Sequence, residues 1–445
     1  MYQKTIVFLY KFFFVWLLLQ FFLQTFVTYK LGLDMERMTY VWLWKEAVIW
    51  CIWLLALWNI IRRKDRKQII ASPTLGWRTL WLIAAVAIAA SIHLVLLWKP
   101  LNTFILAFKY DFFWFFILLV GLHSAWGISH TIRKEILMWY GRIIKRALVG
   151  ALIRYAIIFI KPGTLKLFGY DNFMYEWWVS VQPPAAYYTL INHGVTRNQF
   201  LFERPISWWF FLTAFFPFFF MLFLYKKPFR TTRTRRIIYG INVLFTFSRA
   251  AWGSWIIELI AIWFFIYRKD IKKFMLYILL PIVVVLWGIW AVAYQSVFQR
   301  SYSTNWHIEM LHNWTKLYMK SPILWHGWGR AWPASHREWW PKFNPENQFL
   351  QILIEFGLLW FLPWFLVYLT LNLVWLQHII SSSKKKMKTL TQHNTTLHLA
   401  SMSLWMVWLS ASWMLLHSFS DRMIVYPLML LFWIIWIQFI QTNNN

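Results

Sequence analysis

Apolar runs long enough to cross a lipid bilayer recur from one end of this chain to the other. A bilayer core of about 30 Å needs about 20 apolar residues per helix, and every backbone polar group inside it must be satisfied internally. The chain is 60% hydrophobic. These features predict an all-α, polytopic integral membrane protein with about 12 transmembrane helices. The predicted helices are 5–29, 39–61, 79–98, 104–125, 147–161, 207–225, 237–250, 252–267, 274–294, 351–377, 398–416 and 424–441.

The strongly positive charge of the chain is best explained by its topology. The formal net charge is +29, and cytoplasmic loops of membrane proteins carry an excess of lysine and arginine. We therefore predict one membrane domain over residues 1–445, multi-pass in the cytoplasmic (inner) membrane, with both termini cytoplasmic. Membrane lipids are expected partners, and nucleic acid is not. The basic clusters are 62–67, 133–146, 226–236, 268–273 and 384–388.

The same topology predicts two long extracytoplasmic loops, at residues 162–206 and 295–350. Binding residues are usually built on loops that a rigid scaffold holds, so we expect function on this face. The first loop carries Arg197 and Arg204, and the second carries Arg300. Arginine suits bidentate recognition of phosphate. For any one arginine a solvated loop charge is the commoner explanation, but the set favours a phosphate site.

A short hairpin adds a fourth arginine, Arg249. About 31 residues, from Ile237 to Tyr267, separate two basic clusters, whereas two full crossings need about 40. The apex at residues 247–250 is therefore expected slightly below the outer interface. An arginine at that depth is costly unless it faces a polar cavity, which favours a functional residue. Snorkelling to a lipid phosphate is the alternative.

Loop histidines and a carboxylate are candidates for proton transfer. His326, His336 and Glu346 lie in the second predicted loop, and these residue types act as general acids and bases. Ordinary loop residues are the alternative. The sequence contains no HExxH or DxD pattern and no Walker A segment. We therefore predict neither a metal nor a cofactor.

The order of motifs around the second loop resembles the O-antigen ligase and O-antigen polymerase superfamily. The similar elements are TFSRAA at 246–251, the segment from Arg300 to His307, SPILWHGWG at 321–329, and PENQFLQ followed by EFG between Pro345 and Gly357. The resemblance covers the chain from about residue 197 to the C-terminus. The first helices are similar only in hydropathy and topology.

The resemblance implies a metal-independent, inverting glycosyltransferase of the GT-C type. It would transfer or polymerise an undecaprenyl-diphosphate-linked glycan onto an acceptor hydroxyl of a glycan, lipid or protein, at the outer face of the cytoplasmic membrane. Many ligases of the family have His where this chain has Glu346, so the base and the choice between ligase and polymerase stay open. The implied diphosphate-binding residues are Arg197, Arg204, Arg249 and Arg300, and the implied catalytic bases are Glu346, His336 and His326.

A lipid-linked oligosaccharide flippase, or another polytopic transporter, is the alternative function. Transporters place their sites near the bilayer midplane, where charged residues of the helices line a cavity. Charge within the predicted helices of this chain is sparse, and the polar residues concentrate in the predicted outer loops. This distribution favours an enzyme at the interface.

Tryptophan stands at four positions where the family pattern has glycine: Trp306, Trp325, Trp332 and Trp360. The whole chain has 36 Trp and 15 Gly. An indole at a turn that needs a positive φ or a close backbone approach is destabilising. We hypothesise that UGA codons meaning glycine in the cell were translated as tryptophan; aromatic enrichment of the lineage is the alternative. UGG codons at all four positions would refute the hypothesis.

Overall fold

The computed structural model describes part of the chain, and this part is mostly helical, as the predicted fold class requires. The predicted helices 79–98 and 398–416 lie wholly outside it, so the total of about 12 spans stays a prediction. The described residues are 2–32, 44–62, 113–171, 174–175, 186, 188–189, 196–202, 204–224, 229–248, 251–253, 255–256, 275–280, 283, 287, 290, 301–323, 349–359, 361–363, 365–366 and 430.

The described helices are α1 (Tyr2–Thr25), which continues as a π-helical turn (Phe26–Lys30), α2 (Trp44–Arg62), α3 (Phe113–Trp126), α4 (His130–Ile160), a 3-10 helix (Pro162–Phe168), α5 (Pro205–Leu224), α6 (Phe229–Leu244), a π-helical turn (Met275–Leu279), α7 (Ser301–Met319) and α8 (Phe349–Leu359). A small sheet has the order β1 (Met174–Tyr175), β2 (Tyr188–Thr189) and β3 (Thr196–Arg197). Its first pair is parallel and its second is antiparallel.

Two helices of the described part are long and apolar enough to cross a membrane: Tyr2–Lys30 and Trp44–Arg62. Buried core helices of soluble proteins and signal sequences also meet this criterion. Helix α2 goes further, because it exposes Trp50, Leu54 and Trp58, which follow one another at intervals of four residues. Such spacing forms one helix face, and a continuous exposed apolar stripe favours contact with lipid.

The chain divides into two compact units. The first contains residues 1–51, 130–300 and 391–411, and the second contains 52–129, 301–390 and 412–445. Within the first unit, α4 contacts α1, α5 and α6 and the 3-10 helix that follows it. Helix α4 is therefore the element against which the described residues of the first loop and the neighbouring helices are placed.

Aromatic side chains fill the core of the first unit. The ring of Phe14 on α1 stacks on Tyr140 of α4 with centroids 4.1 Å apart, and it contacts Phe215 of α5 at 5.4 Å. The Tyr140 hydroxyl donates to the backbone oxygen of Tyr10 at 3.1 Å. A buried phenol needs such a partner, because an unpaired hydroxyl in an apolar core is destabilising. This cluster joins three helices at one level.

Helix α4 begins earlier than the sequence predicted. The prediction began at residue 147, whereas α4 begins at His130, so all of the basic cluster 133–146 is helical rather than loop. Leucine, lysine and arginine are good helix formers, and no proline interrupts the segment before Pro162. The basic side chains Arg142, Lys145 and Arg146 are exposed. Hydropathy located the apolar half of this helix but not its basic half.

Helix α7 lies within residues that were predicted as the second loop. Its side chains Trp314, Leu317 and Tyr318 are half-buried and pack, with Leu350, against Ile354 of α8. The spacing of three and four residues puts them on one helix face. The segment is too polar to be predicted as a span, yet one apolar face is enough to hold a helix against a neighbour.

Candidate functional site

Residues 196–202, at the end of the first predicted loop, are docked onto α4. The Tyr155 hydroxyl donates to the backbone oxygen of Thr196 at 2.7 Å. The Phe200 ring lies over Gly150, where an added Cβ would be 3.3 Å from the ring. Phe200 has a φ of 50°, an unfavourable conformation for an aromatic residue. The surrounding contacts hold it there, so this segment has one defined position on the helix.

The same segment caps the C-terminus of α6. The last carbonyl oxygens of a helix have no partner within the helix. Here the Asn198 N–H donates to the oxygen of Phe245 at 2.7 Å, and Arg197 Nε donates to the oxygen of Thr246 at 2.6 Å. A cation is also favoured at the negative end of a helix dipole. Arg197 is buried, and its Nε bonds this turn directly.

Two buried amides complete the contact. Asn198 Nδ2 donates to Asn242 Oδ1 at 3.2 Å, and Asn242 Nδ2 donates to the oxygens of Leu148 at 3.1 Å and Ile238 at 2.8 Å. Buried polar groups are tolerated only when they are paired in this way. Sequence reasoning missed both asparagines; the available signal was an amide in the apolar half of α6. We call Arg197, Asn198, Asn242 and Thr246 the first docking contact.

The chain turns immediately after α6, where the sequence predicted the apex of the short hairpin. Phe247 has a φ of 46°. The Ser248 oxygen accepts from the Trp252 N–H at 3.1 Å, and its Oγ accepts from the Ala251 N–H at 3.4 Å. These bonds are typical of an N-cap serine. The turn begins at the residues predicted for the apex, and that they form the outer end of a membrane hairpin stays a prediction, as does their depth.

The structure describes two of the seven predicted site residues. Arg197 is buried in the first docking contact, and Arg204 is half-buried just before α5, where its backbone oxygen accepts from the Trp208 N–H at 3.4 Å. No group of three or more metal-ligating side chains occurs among the described residues. The other five predicted residues lie outside the described part: Arg249, Arg300, His326, His336 and Glu346.

A second docking contact lies in the second unit, where residues 321–323 meet the end of α8. The Leu358 N–H donates to the oxygen of Pro322 at 2.9 Å, and Gly357 has a φ of 66°. Glycine adopts this left-handed conformation without strain, and it turns the following N–H out of the helix. The second docking contact consists of Pro322, Gly357 and Leu358. It joins two of the motifs that carried the family resemblance.

The tryptophan positions are only partly within the described residues. Trp306 lies inside α7, where the backbone is helical and any L-residue is sterically allowed. Glycine is therefore not required there by backbone conformation. Trp325, Trp332 and Trp360 lie outside the described part of the chain, so the hypothesis of misread codons stays a prediction at those three positions.

Residues 236–365 match the family model described as O-Antigen ligase. A comparison with curated proteins gave no match. The matched segment includes the turn after α6, helices α7 and α8, and the second docking contact. The resemblance to this superfamily that the motifs predicted is thereby confirmed over residues 236–365. The matched segment also contains five of the seven predicted site residues, namely Arg249, Arg300, His326, His336 and Glu346.

Proposed function

We propose that this member of the O-antigen ligase and polymerase superfamily transfers or polymerises a glycan carried on undecaprenyl diphosphate. The acceptor is a hydroxyl group of a glycan, lipid or protein, and the reaction takes place at the outer face of the cytoplasmic membrane. The family match supports glycan transfer in general terms. Donor, acceptor, membrane face and stereochemical outcome are our proposals.

The observation that carries the proposal is the hydrogen bond from Arg197 Nε to the Thr246 oxygen. Thr246 lies in the segment that matches the family, three residues before Arg249, whereas Arg197 lies outside the matched segment. Their contact links the first predicted loop to the turn that carries the hairpin arginine. Two sequence regions that were both proposed for diphosphate binding are thus parts of one folded unit.

In the proposed reaction, arginines bind the donor and stabilise its leaving group. Arg204, Arg249 and Arg300 bind the donor diphosphate and stabilise the charge that develops on it as it leaves. Arg197 contributes by holding the turn before Arg249. One of Glu346, His336 or His326 removes the proton from the acceptor hydroxyl as it attacks the anomeric carbon. Attack opposite the leaving group inverts that centre, and no metal is needed because the arginines neutralise the diphosphate.

The test uses the full chain in nanodiscs, supplied with an undecaprenyl-diphosphate-linked glycan and a hydroxyl acceptor. We expect Arg249→Ala and Arg300→Ala each to lower transfer by about 10²–10³-fold, as the loss of a group that stabilises developing charge does. The control is Arg142→Ala, an exposed arginine of α4, which should transfer at the wild-type rate. Wild-type rates in both test variants would refute the diphosphate role. A flippase forms no glycosylated acceptor in this assay.

The base is identified in the same assay. Glu346→Gln, His336→Ala and His326→Ala are compared, and the variant of the true base should lose about 10²–10⁴-fold in rate. Excess EDTA should leave the wild-type rate unchanged, and NMR of the product should show an inverted anomeric configuration. Activity that EDTA abolishes and added Mg²⁺ restores would contradict the metal-independent mechanism.

A further inference from the structure

Arg154 is a buried arginine of α4 that forms no ion pair with any carboxylate in the described part of the chain. Its relative exposure is 7%. Among the residues that the structure describes, the ion pairs join Lys11 to Glu135 and Lys45 to Glu46, and neither includes Arg154. A buried charge without a counterion is strongly destabilising, and in a membrane protein such a residue indicates a functional site.

Among the described residues, one side of the Arg154 guanidinium has a hydrogen-bond partner and the other side has none. Nη2 donates to the backbone oxygen of Ala186, and the Ala186 N–H in turn donates to the oxygen of Asp171 at 3.0 Å. Nη1 is buried and has no hydrogen-bond partner within the described part of the chain. A guanidinium carries two N–H donors on each terminal nitrogen. Arg154 is thus oriented by the Ala186 oxygen, and the N–H donors of Nη1 have no acceptor among the described residues.

This arginine lies close to the end of α4 that bears the first loop. It precedes Ile160 by six residues, which is about 9 Å along a helix. One turn beyond it, Ile158 packs with Tyr170 and Ala186 in a small apolar cluster beneath the loop. Because the guanidinium is buried, an anion bound to it would interact with it more strongly than in water.

The small sheet connects Arg154 to the first docking contact. Ala186 lies two residues before Tyr188, whose register partner in β3 is Arg197. Two residues of chain span at most about 7 Å and paired strand residues lie about 5 Å apart, so the Cα atoms of Ala186 and Arg197 are within about 12 Å of each other. Arg154, which donates to Ala186, and Arg197 consequently belong to one loop-bearing end of the first unit.

We propose that Arg154 binds a phosphate oxyanion through Nη1, at a site beneath the first loop that none of the family-like motifs includes. Guanidinium donors form short, charge-assisted hydrogen bonds to phosphate oxygens, and the anion neutralises the buried charge. The inference rests on the proposed function for the identity of the anion, which is a phosphate of the lipid-linked donor. The headgroup of an anionic lipid supplies the same chemistry, so the experiment separates these two sources.

The experiment measures the apparent Tm of the full chain in two kinds of nanodisc. In phosphatidylcholine nanodiscs, inorganic pyrophosphate should raise the Tm of the wild type, because a ligand that binds only the folded state stabilises it. Arg154→Gln should lose this rise, whereas Arg142→Gln on the exposed side of α4 should keep it. In phosphatidylglycerol nanodiscs without pyrophosphate, a stabilisation that Arg154→Gln removes would identify the lipid headgroup as the anion.

Each outcome decides the proposal. It is overturned if Arg154→Gln keeps the wild-type response to both probes, whatever its own Tm, or if the wild type responds to neither. If Arg154→Gln does not fold, Arg154→Lys replaces it, and its pyrophosphate midpoint should be about tenfold weaker, since a point charge does not reproduce the guanidinium fork. An unchanged midpoint overturns the proposal. A pyrophosphate response without any glycan transfer in the wild type would refute the proposed function and leave this site standing.

Discussion

The two docking contacts hold their segments by different means. In the first docking contact, side chains do most of the joining: Arg197 Nε caps Thr246, and Asn198 pairs with Asn242. In the second, backbone groups do the joining, from the Leu358 N–H to the Pro322 oxygen and from the Leu359 N–H to the Ile323 oxygen. The side-chain contact depends on which residues occupy its positions. The backbone contact depends on the conformation that one glycine permits.

This difference explains which contact was visible in the sequence. Gly357 and Pro322 belong to the motifs that resemble the family. A backbone conformation that suits glycine or proline admits only one or two residue types, so such a position can be recognised in a sequence. Asn198 and Asn242 belong to no motif, and many other buried pairs could fill the same space. The two contacts should therefore respond differently to substitution.

The largest effect is expected at Asn242, whose removal breaks the first docking contact. Asn242→Leu leaves the Asn198 amide nitrogen buried without its acceptor and removes the side-chain bond to the Leu148 oxygen, which keeps its bond within α4. We expect a loss of about 3 kcal/mol in the free energy of unfolding, because an unsatisfied buried group costs about 1–3 kcal/mol and each lost hydrogen bond about 1 kcal/mol. Denaturant titration in detergent measures it. Ile237→Ala, at an exposed position of α6, is the control and should change little. Equal effects of the two substitutions would show that the amide pair is not stabilising.

A smaller effect is expected at Gly357, in the second docking contact. Gly357→Ala places a Cβ on a residue whose φ is 66°, which costs about 1–2 kcal/mol for an L-residue in the left-handed region. The control is Gly253→Ala, since an added Cβ at this helical position meets no atom within 4 Å. Thermal unfolding in detergent should show a lower apparent Tm for the first variant and no decrease for the second. A Gly357→Ala variant as stable as wild type would contradict the backbone explanation of this contact.

The smallest effect is expected at Tyr155, which supports the first docking contact from α4. Tyr155→Phe loses one hydrogen bond to the Thr196 oxygen and keeps the ring that stacks on Phe245 at 4.8 Å. The expected loss is about 1 kcal/mol. Tyr155→Leu also removes the stacked ring and should unfold at a lower denaturant concentration than Tyr155→Phe. If the two variants unfold together, the ring contributes nothing and the hydroxyl alone matters.

Much of the helical structure follows directly from local sequence. Long apolar runs predicted α1, α5 and the end of α2 to within a few residues, because hydropathy and helix propensity act over short distances. The boundaries of α4 and α6 and the existence of α7 did not follow: α6 is Phe229–Leu244, whereas 237–250 was predicted. Helix α4 continues through charged residues, which lower the hydropathy but do not prevent a helix. Helix α7 is held by the packing of Trp314 and Leu317 on α8.

The sequence by itself determined the helical fold class and the resemblance to the O-antigen ligase superfamily over residues 236–365, since the first depends on apolar patterns within single helices and the second on the order of short motifs along the chain. Only the tertiary structure decided that Asn198 pairs with Asn242, 44 residues away, and that Arg197 caps a carbonyl 49 residues away. It also decided that Arg154 points one nitrogen at Ala186 and leaves the other without a partner among the described residues. Such contacts join distant segments, and the packing of whole helices selects them from many pairings that the same residues could make.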